Sequence, residues 1–393
     1  IQKFASNPGT KQMTTLVKEH FNVVMDDKAA KFLHSPGIPS MDSLKTCLLT
    51  DVTSPAAKTT RAIYYLRSIG TDLAVDILCQ ALLLKSHTPL IRHEIGYVLG
   101  QMQQIRACQT LEDVLKDDQD NVMVRHECAE ALGAIGEVRS LPLLEKMAAL
   151  PNDTTTTTST TAIDNDTQSD TQNDTQNDTK DNDFTCSPKS NTATKVRIPE
   201  ELRETCEIAR DFCKWKAEGE QGQRPQVACA CMLSPYNSYD PAPPSPETDN
   251  LSTLQLGNRL RNTTNNLALF ERYQAMFALR DRGGEECVIE LGRTLVEDES
   301  SALLRHEVAY VLGQMAHPAA ILFLAESLRR RDEHNMVRHE AAEALGAIEG
   351  DEKDAELCLE LLKEFSNPMT ESDGVVRESC EVALDTLDYW SNF

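Results

Sequence analysis

Four copies of an adjacent His-Glu pair recur in near-identical segments: LIRHEIGYVLGQM at 90–102, MVRHECAEALGAIG at 123–136, LLRHEVAYVLGQM at 303–315 and MVRHEAAEALGAIE at 336–349. His93 to His126 and His306 to His339 are both steps of 33 residues, and each pair has a mate 213 residues further on. A repeat kept for packing alone needs only its apolar positions. Four imidazoles and four carboxylates held in one register suit a two-metal site instead, and make His93, Glu94, His126, Glu127, His306, Glu307, His339 and Glu340 the candidate ligands. Two imidazoles and one carboxylate leave open positions on an ion, the facial arrangement associated with non-heme ferrous iron. His93 and His126 with a carboxylate would form one such set, and His306, His339 and Glu340 the other. Ligation without cysteine suits iron or manganese better than a structural zinc site and does not choose between them.

The competing reading of these pairs is a solvated polar face, which would suffice for one pair but explains four in matched halves poorly. A zincin-type site is absent, because the positions four residues after each His hold Tyr97, Glu130, Tyr310 and Glu343. Glu130 and Glu343 either orient the imidazoles or are exposed, and exposure is the expectation. Tyr97, Tyr310, Met102 and Met315 are expected to pack between repeats, and His317 and His334 to lie on the surface.

The elements that must position the pairs are helical. In MVRHEAAEALGAI the residues Val337, Ala341, Ala344, Leu345 and Ile348 make an apolar stripe, leaving His339, Glu340 and Glu343 off it. Asn121 and Asn335 stand where N-caps belong. Each unit holds a second amphipathic segment, such as DLAVDILCQALLL or AAILFLAESLRRR. The register extends to flanking segments without the pair: Thr60 and Tyr273 stand one step before His93 and His306, and RETCEIA at 203–209 matches RESCEVA at 377–383. Two-helix units of this length stack into an all-α solenoid, and the VRxxAAxALGxIG pattern resembles short HEAT-like repeats.

The corresponding step is 78 residues in the first half (Arg125 to Arg203) and 39 in the second (Arg338 to Arg377), so the first half carries an insertion. Composition places it at 152–194, a Thr/Asp/Asn-rich stretch too poor in apolar residues to offset its ordering entropy and therefore expected to be disordered. The resulting division is a variable N-terminal region at 1–40, N-terminal repeats at 41–151, the insertion, a last repeat of that half at 195–231, a Pro-rich linker at 232–250 and C-terminal repeats at 251–393.

A net charge of −23 argues against nucleic acid or an anionic membrane as partner and permits a cationic one. The twelve cysteines are scattered without a paired framework, which fits reduced thiols in the cytoplasm. No apolar run reaches a membrane span of about 18 residues.

Together the pairs, the 33-residue step, the two halves and the flanking repeats resemble the deoxyhypusine hydroxylases, a family of HEAT-repeat di-iron monooxygenases. The likeness runs from about residue 40 to the C-terminus apart from the insertion. It implies a cytoplasmic enzyme that uses two Fe(II) ions and dioxygen to hydroxylate the deoxyhypusine side chain of translation initiation factor 5A, forming hypusine. It also implies one iron on His93, His126 and Glu127 and the other on His306, His339 and Glu340, with Glu94 and Glu307 either ligands or contacts to the amine-bearing substrate. The alternatives are a non-enzymatic HEAT-repeat scaffold that binds partner proteins and a two-metal hydrolase on the same frame.

Overall fold

The computed structural model describes residues 39–152, 197–220, 238–262 and 266–391. The expected variable region (up to 38) and disordered insertion (from 153) lie outside the described residues, as do 221–237 of the last repeat and linker.

The described residues are helical throughout, with one isolated bridge between Asn152 and Ile198 that joins the two ends of the insertion. Four hairpins make the first half: α1 (Met41–Leu49) with α2 (Ala56–Ile69), α3 (Asp72–Leu82) with α4 (Pro89–Gln101), α5 (Cys108–Lys116) with α6 (Val122–Ile135), and α7 (Leu141–Ala148) with α8 (Glu200–Glu220). A short helix α9 (Pro246–Asp249) leads to the second half. There α10 (Thr253–Arg261) pairs with α11 (Leu269–Arg282), α12 (Glu285–Glu297) with α13 (Ala302–Met315), α14 (Ile321–Arg329) with α15 (Asn335–Leu345), and α16 (Glu352–Ser366) with α17 (Gly374–Ser391).

The second helix of every hairpin faces inward. α2, α4, α6 and α8 stack in order, as do α11, α13, α15 and α17; α8 then packs on α11 and α13, and α17 on α2 and α4, so the eight inner helices close a ring. The halves also exchange residues: Ile208 of α8 belongs to the apolar core of the second half, and Val382 of α17 to that of the first. These are matching positions of the two repeats.

Closure changes the fate of the polar faces. Residues expected to stand clear of the packed stripe are covered by the opposite half, so His339 is fully buried and Glu340 5% exposed. Burying them requires their backbones to be held closely. A Cβ on Gly100 would stand 2.8 Å from Cα of Ala131, and one on Gly133 the same distance from Cα of Ala209, which explains the small residues after each motif.

The arginine before each His performs a separate task. Arg92 donates from Nε to the Leu82 carbonyl (2.8 Å) and pairs in fork fashion with Asp120 (2.5 and 2.7 Å). Arg125 and Arg338 reach Leu115 and Leu328 in the same way, and Arg305 donates to the Asp298 carbonyl just past α12 (2.9 Å) while also pairing with Glu333. Each ties the end of the outer helix to the inner helix that follows it.

Capping agrees with expectation at Asn121, whose side chain accepts from the Met123 N–H (2.9 Å). It differs at the other site, where His334 rather than Asn335 caps α15 by accepting from the Met336 N–H. His317 likewise caps the turn before α14, so both histidines are half-buried structural groups.

Candidate metal centre

His93 on α4, His126 on α6, His306 on α13 and His339 on α15 each sit near the middle of an inner helix, so ring closure turns all four imidazoles toward one point. His93 is 5.8 Å from His126, 6.0 Å from His306 and 5.0 Å from His339 between ring centroids, and His306 lies 5.3 Å from both His126 and His339. All are at most 4% exposed.

Four buried imidazoles would ordinarily be satisfied by hydrogen bonds, because an unpaired buried polar atom is costly. Yet both ring nitrogens of His306, and Nε2 of His126 and His339, have no hydrogen-bond partner, while His93 meets only carboxylates, with Glu127 3.0 Å from its Nε2 and Glu94 3.5 Å from its Nδ1. The exceptions set tautomers. Thr205 donates its own proton to the Glu201 carbonyl (2.8 Å), so its oxygen accepts from Nδ1–H of His126 (2.9 Å), leaving the Nε2 lone pair aimed into the site. Ser379, at the matching position of α17, donates to Glu343 and lies 3.5 Å from Nδ1 of His339. Burial and the neighbouring imidazoles hold His126, His306 and His339 well below the usual histidine range, in the neutral form that ligates metals. Burial also opposes charge on His93, but Glu127 (3.0 Å) and Glu94 outweigh it and hold that ring well above the usual range.

The donor atoms fit metal ions. His93, His126 and Glu127 place one ligand atom each within 4.8 Å of one another, which is the first expected set. In the second half the three atoms that converge to that limit are those of His93, His306 and His339, while Glu340 lies 3.8 Å from Nε2 of His306. His93 thus projects between the two sets, and Glu340 stands beside the second.

Carboxylates surround this cluster. Glu94, Glu127, Glu130, Glu307, Glu340 and Glu343 all line the central cavity, and among the described residues no Lys or Arg does. Burial, reinforced by neighbouring carboxylates, pushes Glu340 up to about 8 and Glu130, Glu307 and Glu343 well above the usual range. Such a site attracts cations. Glu130 and Glu343 are therefore half-buried groups of the cavity and not exposed ones. The helical period could not reveal this, since it says nothing of what covers a polar face.

One further expectation changes. Tyr97 and Tyr310 bond to each other through their hydroxyls (2.9 Å) and line the cavity beyond their packing role. The described part of the expected linker, 238–250, is anchored: Asp240 receives a forked pair from Arg280 (2.8 and 2.5 Å), Gln101 accepts from the Tyr239 N–H, and Gln314 donates to Ser238. Tyr239, Asp240 and Pro241 line the site, and nothing in their Pro-rich sequence context signals it.

Comparison with known proteins agrees with this geometry. Residues 271–345 and 289–385 match the family model for HEAT repeats, and 124–149 that for the PBS lyase HEAT-like repeat. The chain is 39% identical to the deoxyhypusine hydroxylase of Danio rerio, covering 84% of this chain and 86% of that one. It is 37% identical to that of Homo sapiens, covering 87% and 89%. The structure of the human deoxyhypusine hydroxylase in complex with glycerol superposes with a TM-score of 0.66 at 36% identity, covering 88% of this chain and 96% of that one.

Proposed function

The chain belongs to the deoxyhypusine hydroxylase family of monooxygenases, and from that premise we propose that it hydroxylates the deoxyhypusine side chain of translation initiation factor 5A, using two Fe(II) ions and dioxygen. The reading is carried by the cluster of four buried imidazoles, three of which turn nitrogens without a hydrogen-bond partner inward while the fourth, His93, faces the Glu127 carboxylate. One ion would be held by His93, His126 and Glu127, and the other by His306, His339 and Glu340, with Glu94 and Glu307 available to either metal or substrate. When bound, a ferrous pair supplies the activation of dioxygen that C–H hydroxylation needs.

The protein's own groups do the rest. Thr205 and Ser379 orient His126 and His339 from behind, as supporting groups of metal-ligating histidines commonly do. Carboxylates beyond those used by metal attract the two ammonium groups of the deoxyhypusine arm and hold them in a water-poor site, where the attraction is strongest. Gln101 and Gln314 pin the 238–240 segment over the centre and restrict its contact with solvent. No helix among the described residues is long and apolar enough to cross a membrane, and the cytoplasm, with factor 5A, is the proposed setting.

A scaffold without activity would have no use for the buried imidazoles. The test is hydroxylation of deoxyhypusine-bearing factor 5A by iron-loaded protein, with air and without. Product only in air supports the reading; turnover without dioxygen, or none with full iron, contradicts it.

A further inference from the structure

The cavity does not share the twofold arrangement of its ligands. Tyr64 of α2 and Thr386 of α17 line it, but their counterparts one repeat-half away are Phe277 of α11 and Phe212 of α8, which do not. Val382 and Ala383 line it, whereas Ile208 and Ala209 do not. On the opposite side the space is taken by the 239–241 segment, fixed to Arg280 through Asp240. The asymmetry is chemical as well as steric. The Tyr64 hydroxyl donates to Oε2 of Glu94 (3.1 Å), and the matching position of the other half, Phe277, offers no hydroxyl.

Resting on the function above, we propose that the deoxyhypusine arm enters along one side only, the wall of Tyr64, Val382, Ala383 and Thr386, and that Tyr64 is a positioning residue that orients Glu94 toward an ammonium group of the arm. The wall matches such a ligand. Its small apolar side chains accept methylenes, while Glu94 and Glu343 stand where the charged nitrogens need partners.

The test exchanges residues between the two sides. Thr386→Phe gives the wall the ring that its counterpart carries, Phe212→Thr makes the reverse change, and Tyr64→Phe removes the hydroxyl alone. Because Phe212 is buried and stacks on Trp215, Phe212→Leu is the second control. Iron-loaded variants are compared for iron content, for Kd toward deoxyhypusine-bearing factor 5A, and for KM and kcat. Thr386→Phe is expected to raise Kd and KM about tenfold or more with iron content unchanged. Tyr64→Phe should raise KM about three- to tenfold with little change in kcat, a split that a purely structural role would not give. A Phe212 control should bind as the wild type does. Wild-type binding by Thr386→Phe, or equal weakening by a Phe212 control, overturns the one-sided entry, and an unchanged KM in Tyr64→Phe overturns its positioning role. Iron-loaded wild type that does not bind deoxyhypusine-bearing factor 5A overturns the functional reading itself and this inference with it.

Discussion

Thr205 spends its only hydroxyl proton on the Glu201 carbonyl, so what it offers His126 is a lone pair, and that choice fixes which imidazole nitrogen faces the site. Thr205→Val keeps the shape and removes the acceptor. Metal affinity should fall by about ten- to hundredfold, measured by competition with a chelator, while the urea midpoint changes little because the site is small beside the core. A variant that binds iron as tightly as the wild type would show that the Thr205 contact is incidental. The His-Glu pairs were legible in sequence because a repeat exposes any polar residue that recurs. Thr205 and Ser379 were not, although RETCEIA and RESCEVA place them in register, because a hydroxyl on a helix carries no mark of its partner. Glu130 and Glu343 were misplaced as exposed for a related reason, since only the opposite half buries them.

At the scale of elements, the inner helices approach so closely that backbone meets backbone. A methyl group on Gly133 would meet Cα and Cβ of Ala209 at 2.8 and 2.7 Å, and neither is the movable end of a side chain. Gly133→Ala must therefore push α6 away from α8, at about 1–3 kcal/mol, and displace His126 from Thr205. Urea unfolding should show the loss, with a parallel fall in metal affinity; unchanged values for both would mean that the helices separate freely. Most of this level was readable: amphipathic period, hairpin length and repeat register all pointed to a solenoid. The cap of α15 was not, because Asn is the commoner capping residue, yet the 213-residue register sets His334 and not Asn335 opposite Asn121.

At the scale of the whole molecule, the decisive feature is closure of the ring, which no local pattern announces. One seam joins α8 to α13 through Glu204, whose carboxylate accepts from Ser301 (2.7 Å). Burial pushes this carboxyl up to about 7 from an ordinary 4.5, against the Ser301 hydrogen bond, which favours the charged form. Between those values the folded chain keeps a proton that the unfolded chain has lost. The contribution to stability is therefore full below about pH 4.5 and disappears as the pH rises through 7. Glu204→Gln should remove that dependence, so that relative to wild type it gains on the order of 3 kcal/mol between about pH 4.5 and 8 in urea melts; parallel pH profiles would contradict the assignment. Closure also makes one site from two halves that each carry a single pair of motif helices. Whether this site holds two ions is read out by an anaerobic titration of metal-stripped, folded protein with Fe(II). Saturation is expected at two ions per chain, falling in both His93→Ala and His306→Ala. Saturation of the wild type at one ion, or no binding by folded protein, would contradict the two-ion site.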